Sequence, residues 1–259
     1  MKPDDSHYEL RLARDARDLR AAQRLRYDVF VAELGGDGAG VDHENRLETD
    51  RYDAYYDHLL LIDTRRDADA LDDVVGVYRL LKGADADRAG GFYTATEYDL
   101  SPLLASGRKL LELGRSCVHP DHRGGTAMFH MWNALAEYVL DNGIEILFGV
   151  ASFHGTDPEA LSQPLSYLHY NHLAPPDLRV RAIAPHYTPM DRLPREAVDR
   201  RAAMVATPAL IKAYLRLGGF VGDGAFVDHA FNTTDVCLLM DTTRMSERHR
   251  SFYVRGREG

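Results

Sequence analysis

The sequence predicts an α/β fold with a mixed, mostly antiparallel central sheet flanked by helices. Three observations carry this: short apolar strands and amphipathic helical patterns are interleaved along the chain; two strands, His58–Asp63 and Asp73–Lys82, are joined by a charged turn as in a hairpin; and the chain ends on another strand pair, Gly224–Phe231 and Asp235–Asp241. A length of 259 residues, 45% hydrophobic and 27% charged, suits one domain with ample core.

Taken in order, Tyr8–Ala13 alternates as a strand. Asp15–Leu34 carries Leu19, Ala22, Leu25, Val29 and Phe30 at helical spacing. Gly35–Asp57 reads as a long polar loop, and the hairpin follows. Gly91–Asp99 is expected to be extended, and Lys109–Val118 is a strand. Thr126–Leu140 is a helix with Met128, Trp132, Leu135, Ala136 and Val139 on one side, closing at Asn142-Gly143, and strand Glu145–Phe153 follows. Asp157–Leu173 is expected as a helix capped by Asp157 with Pro158 at its first position. Prolines 175, 176, 185, 189 and 194 make 174–207 an irregular insertion, of the kind that is functional or mobile. Pro208–Leu217 resumes as a helix ending at Gly218-Gly219, and 242–259 is a basic tail.

A net charge of −9 argues against nucleic-acid binding, which needs a basic face. The N-terminus MKPDDSHYEL lacks a signal-peptide pattern and no long apolar run occurs, so a cytoplasmic protein is expected. Cys117 and Cys237 both fall in expected strands and read as core thiols. Arginines cluster at Arg179, Arg181, Arg192, Arg195, Arg200 and Arg201, and again in the tail at Arg244, Arg248, Arg250, Arg255 and Arg257. They form a solvated surface or attract an acidic carrier protein or anionic lipid headgroups.

Several residues have the chemistry of a site. Arg79 alternates with Val75, Val77 and Leu81 on one strand face, so its charge needs a partner; Glu48, Asp50, Asp53 and Glu112 are candidates. Gln23, Arg26 and Phe30 share a helix face. The loop ETDRYDAYYDH interleaves Glu48, Asp50, Asp53 and Asp57 with tyrosines, a welcoming surface for a cationic amine. In the strand Lys109–Val118, alternation sends Glu112 and Arg115 to opposite faces unless a bulge at Gly114 intervenes. Such a bulge would offer backbone groups to an extended ligand or an oxyanion. The His-x4-Asp spacing of His58 and Asp63 reads as core, since residues five apart on a strand face opposite ways. His169-x-x-His172 lacks a third ligand, so no metal site is expected, and no Gly-x-Ser-x-Gly elbow or base beside Cys117 supports covalent catalysis.

CVHPDHRGGTA resembles the acyl-CoA-binding turn of the Gcn5-related N-acetyltransferase fold, although the loop after Arg123-Gly124 is shorter than in that fold. LRYDVF, ETDRYDAYYDHLLL, VVGVYRLL and ELGRSCVHP are similar to the autoinducer (acyl-homoserine lactone) synthases. The match is closer to the bacterial L-ornithine Nα-acyltransferases, whose GRSCV-x-P-x-x-R stretch corresponds to Gly114–Arg123 and whose later segment resembles Pro208–Asp241. The tryptophan that autoinducer synthases carry after the first helix is missing, Trp132 being the only one. The resemblance implies a single acyltransferase domain over 1–259 that moves a 3-hydroxyacyl group from acyl carrier protein to the α-amine of L-ornithine, giving a lyso-ornithine lipid.

It assigns Arg26, Phe30, Asp50, Asp53, Arg79, Glu112 and Arg115 to the cleft. Direct attack on the thioester requires a carboxylate base, and Glu48, Asp50 and Glu112 are candidates. Backbone at Gly114 would hold the oxyanion, Arg115 or Arg79 the ornithine carboxylate, and Asp53 or Asp228 its side-chain ammonium. Cys117, Val118, Arg123, Gly124 and Gly125 would line the path of the 4'-phosphopantetheine, which arrives on the carrier with no resident cofactor. A lipidic product implies transient contact with an anionic membrane surface at the inner face of the cytoplasmic membrane, for which the helix Pro208–Leu217 is a candidate. The alternatives are an acyl-homoserine lactone synthase using S-adenosylmethionine and a non-catalytic, hemolysin-like membrane-active protein.

Overall fold

A computed structural model describes residues 5–244. The basic-tail arginines Arg248, Arg250, Arg255 and Arg257 lie outside them. In chain order the elements are β1 (Tyr8–Leu12), α1 (Ala16–Arg26), β2 (Val41–Asp42), β3 (Leu47–Glu48), β4 (Asp57–Asp63), β5 (Val74–Lys82), β6 (Tyr98–Asp99), α2 (Ser101–Ala105), β7 (Leu110–Val118), α3 (Ala127–Asn142), β8 (Ile146–His154), α4 (Ser162–His172), β9 (Arg181–Ala182), β10 (Tyr187–Thr188), α5 (Arg200–Ala206), α6 (Ala209–Arg216), β11 (Phe220–Val221), β12 (Ala225–Asp228) and β13 (Thr233–Asp241). The described chain divides into two compact units, 5–89 with 113–143 and 90–112 with 144–244, so the boundary crosses β7.

In the first unit β1, β4 and β5 are antiparallel neighbours, and β5 is flanked by β7. The expected hairpin pairing is present, with an irregularity between Leu61 and Ile62. Asp15 caps α1 by accepting from Asp18 N at 2.9 Å, and the helix packs Ala21, Ala22 and Leu25 with Val29 onto Leu60, Ile62, Val74, Val77 and Cys117. The expected single helix to Leu34 changes at Tyr27 into a π-helical stretch, Tyr27–Glu33, in which Leu34 N reaches back five residues to Val29 O. Such turns recur at functional sites. The polar loop contains a small hairpin, β2–β3, that brings Glu48 inside. The α3 stripe that is buried is Ala127, Met131, Leu135, Ala136 and Val139, while Met128 and Trp132 are half-buried. The helix ends at Gly143 in the left-handed conformation, where the sequence placed its stop.

In the second unit Leu110–Glu112 of β7 run parallel to Ile146–Phe148 of β8, and β13 and β12 follow antiparallel. β10 joins β12, and β11 pairs with the end of β13. Three expectations change here. Gly91–Asp99 is extended only at its end, in β6, because Tyr93–Thr96 is a 3₁₀ turn. The helix expected from Asp157 begins only at Ser162; Asp157 instead caps a turn by accepting from Glu159 N, and it is Pro164 that sits in the helix's first turn, where a missing N–H is harmless. The insertion 174–207 is tied down rather than loose, because Leu178, Val180, Ala182, Met190 and Ala203 are buried and Ile183 N donates to Glu97 O.

Candidate active site

The first unit gathers guanidiniums and carboxylates at one buried point. α1 delivers Arg26, β3 Glu48, the turn after it Asp50 and Asp53, β5 Arg79 and β7 Arg115. Arg26 has no exposed surface and grips Glu48 (Nε to Oε2, 2.5 Å) and Asp53 (Nη1 to Oδ1, 2.6 Å). Arg79, equally buried, donates from Nη1 to Asp50 at 2.6 Å and Asp53 at 2.9 Å, with its guanidinium 4.5 Å from the Tyr56 ring centroid. Arg115 reaches Glu48 at 3.2 Å and Asp50 at 3.5 Å. Gln23 adds a 2.9 Å hydrogen bond to Asp53.

Burial alone would raise the Glu48 carboxyl, but Arg115 and Arg26 pull it below its ordinary value. Burial likewise raises Asp53, and Arg26 and Arg79 outweigh it, leaving Asp53 far below the carboxylate range. Three cations facing three anions make a neutral cluster, which is how ions survive so little water. Arg115 also holds a left-handed backbone (φ 48°), so the irregularity expected at Gly114 falls one residue later. A side chain in that region is strained, and strain of this kind collects at functional sites.

Of the acids expected to meet Arg79, Asp50 and Asp53 do so. Glu112 does something else: its carboxylate accepts from Tyr93 N at 3.0 Å and Thr94 N at 2.5 Å, which folds 93–96 into the 3₁₀ turn. Phe30 is partly buried against the α1 core. Cys117 and Val118 are buried, and burial pushes the Cys117 thiol up to about 12, so no thiolate is on hand. Arg123 is held by Glu33 through two 2.6 Å bonds and donates to Val118 O. With Gly125 it borders a cavity of about 280 Å³ that is also lined by His7, Tyr8, His122 and Thr126, and Gly124 beside it takes φ 76°.

Asp228 stands in the second unit, where the acidic oxygens of Glu97, Asp228 and Asp235 lie within 4.8 Å of one another, Glu97 and Asp235 being buried. The sequence offered no signal for those two companions, which come from β13 and from beside β6.

A model of the acetyltransferase (GNAT) domain matches residues 25–133. The chain is 66% identical over 252 residues to an L-ornithine Nα-acyltransferase of Rhodobacter capsulatus, covering 97% of this chain and 96% of that one. The chain belongs to the L-ornithine Nα-acyltransferase family. Another L-ornithine Nα-acyltransferase, from Brucella abortus, is 41% identical over 95% of this chain and 88% of its own. Two solved structures share the family's fold: FeeM, an N-acyl amino acid synthase from uncultured soil microbes (TM-score 0.53, 11% identity, 96% of both chains), and the CoA-dependent acyl-homoserine lactone synthase BjaI (TM-score 0.51, 19% identity, 93% of this chain and 83% of that). The family is thus an acyltransferase family on a Gcn5-related N-acetyltransferase fold, with the mixed, mostly antiparallel sheet expected.

Proposed function

We propose that the chain transfers a 3-hydroxy fatty acyl group from acyl carrier protein to the α-amine of L-ornithine, forming lyso-ornithine lipid by direct attack on the thioester. The observation that carries this is the 66% identity across nearly the whole of an L-ornithine Nα-acyltransferase. The buried clusters support the chemistry. Arg115, whose side chain is 13% exposed, suits an incoming carboxylate better than the fully buried Arg26 or Arg79. Asp50 is the candidate base: its side chain is 18% exposed, whereas Glu48 is buried between Arg26 and Arg115 and Glu112 is spent on backbone N–H groups.

In the proposed step the ornithine ammonium gives one proton to Asp50, directly or through water, and the free amine attacks the carbonyl carbon. The N–C bond forms to give a tetrahedral oxyanion held by backbone around Gly114–Arg115; its collapse breaks the C–S bond, and the nitrogen's second proton passes to the leaving pantetheine thiolate. Asp53 is poorly suited to bind the side-chain ammonium, with Arg26, Arg79 and Gln23 already on it.

Incubating the protein with 3-hydroxyacyl carrier protein and either L-ornithine or S-adenosylmethionine tests the proposal by mass spectrometry. An amide-linked product from ornithine alone is expected; a lactone from S-adenosylmethionine, or vesicle leakage without acyl transfer, would overturn it.

A further inference from the structure

His58 has no part in the chemistry above, yet it sits at the edge of the cluster. It lies on β4 opposite Arg79 of β5 and is 4% exposed. Its Nε2 is 2.9 Å from the main-chain oxygen of Asp53. A carbonyl oxygen only accepts, so Nε2 carries the proton and Nδ1 presents a lone pair. Nδ1 is also buried, and no donor among the described residues reaches it. Facing the ring are Arg26 from α1, Asp53 from the preceding turn and Arg79 from β5. An orphaned acceptor at this depth is costly and calls for an explanation.

We propose that His58 is a positioning residue for the acceptor site: as the neutral imidazole it pins the Asp53 carbonyl, and so fixes the turn that holds Asp50 and Asp53 against Arg79. Protonation would place a third cation beside Arg26 and Arg79 and leave a charged donor at Nδ1 with no acceptor in place. The turn therefore gives up its geometry in acid. Burial, together with Arg26 and Arg79, lowers the imidazole pKa and keeps the ring neutral at physiological pH, in spite of the Asp53 carbonyl. The signal in the sequence was a histidine inside an apolar strand run, where the ordinary reading is core.

The inference rests on the cluster being the acceptor site, and two variants of the intact chain test it. His58→Gln keeps an N–H at the reach of Nε2 but cannot ionise, and His58→Leu keeps neither property. His58→Leu should raise KM for ornithine about tenfold with KM for the acyl donor unchanged, the worth of one buried hydrogen bond. His58→Gln should restore most of that loss and move the acid limb of kcat/KM for ornithine to lower pH. The ¹⁵N spectrum of the wild-type ring, assigned by its absence in His58→Gln, should show the Nε2–H tautomer. An unchanged acid limb in His58→Gln, or an Nδ1–H tautomer, would overturn the proposal; if His58→Leu does not fold, these two readouts still decide. Failure of the acceptor reading itself looks different, because the wild type would then not acylate ornithine while the tautomer would stand.

Discussion

Arg26 loses all contact with water on folding, and Glu48 and Asp53 are buried with it. Their mutual attraction mainly repays the cost of leaving water, so the cluster is a device for geometry more than a source of stability. Removing one member is a different matter. Arg26→Met leaves two buried carboxylates short of a cation and should cost about 3–5 kcal/mol in urea unfolding. Arg115 sits where solvent still reaches, and Arg115→Lys keeps its charge while losing the planar fork. We expect Arg115→Lys to lower kcat/KM for ornithine by about tenfold or more, with stability changed by less than about 1 kcal/mol. Equal loss of stability in the two variants would show that Arg115 is only another member of the buried lattice.

At the scale of elements, the acidic residues reach the arginines because the loop before β4 is folded. Thr49 donates to Gly40 O from its N–H (2.8 Å) and its hydroxyl (3.0 Å), closing the β2–β3 hairpin that carries Glu48. A Cβ at Gly40 would lie 1.6 Å from Thr49 O, so Gly40→Ala must open this closure. It should remove most activity and lower the melting temperature, and a wild-type rate would mean that Glu48 is placed by other contacts. The helices bear on where an anionic membrane surface would be met. α6 buries Ile211, Tyr214 and Leu215, and Lys212 is spent on Met204 O at the end of α5. α5 instead exposes Val205 (77%) with Arg200 and Arg201. If the chain docks on anionic vesicles, Arg200→Glu with Arg201→Glu should reduce flotation and Lys212→Met should not.

Across the whole chain, what was legible in the sequence is what periodicity and charge can carry. The β4–β5 hairpin, the end of α3 at Gly143 and the need of Arg79 for a nearby carboxylate follow from alternation, a helix stop and the cost of burying a charge; that Asp50 and Asp53, among four candidates, meet it does not. The 3₁₀ turn at Tyr93–Thr96 was not legible because Glu112 accepts from main-chain N–H groups 18 and 19 residues away, which leave no mark in composition. The Glu97–Asp228–Asp235 group was missed because tertiary folding alone assembles it. The same buried ions set how the molecule responds to acid. Glu48 and Asp53 titrate below their ordinary values of 4.5 and 3.8, so the stability they contribute is complete above those values and is lost as pH falls toward their lower folded ones. His58 is held neutral below its ordinary 6.5, so its contribution is complete above 6.5 and is lost as pH falls from there toward its folded value. The melting temperature should therefore be level between about pH 7 and 8 and decline first below 6.5, with His122 and His172 adding to His58 there, then more steeply below 4.5. Calorimetry of His58→Gln should show the first decline reduced and the second intact. A first decline of full size in that variant would assign it to another of the chain's 12 histidines.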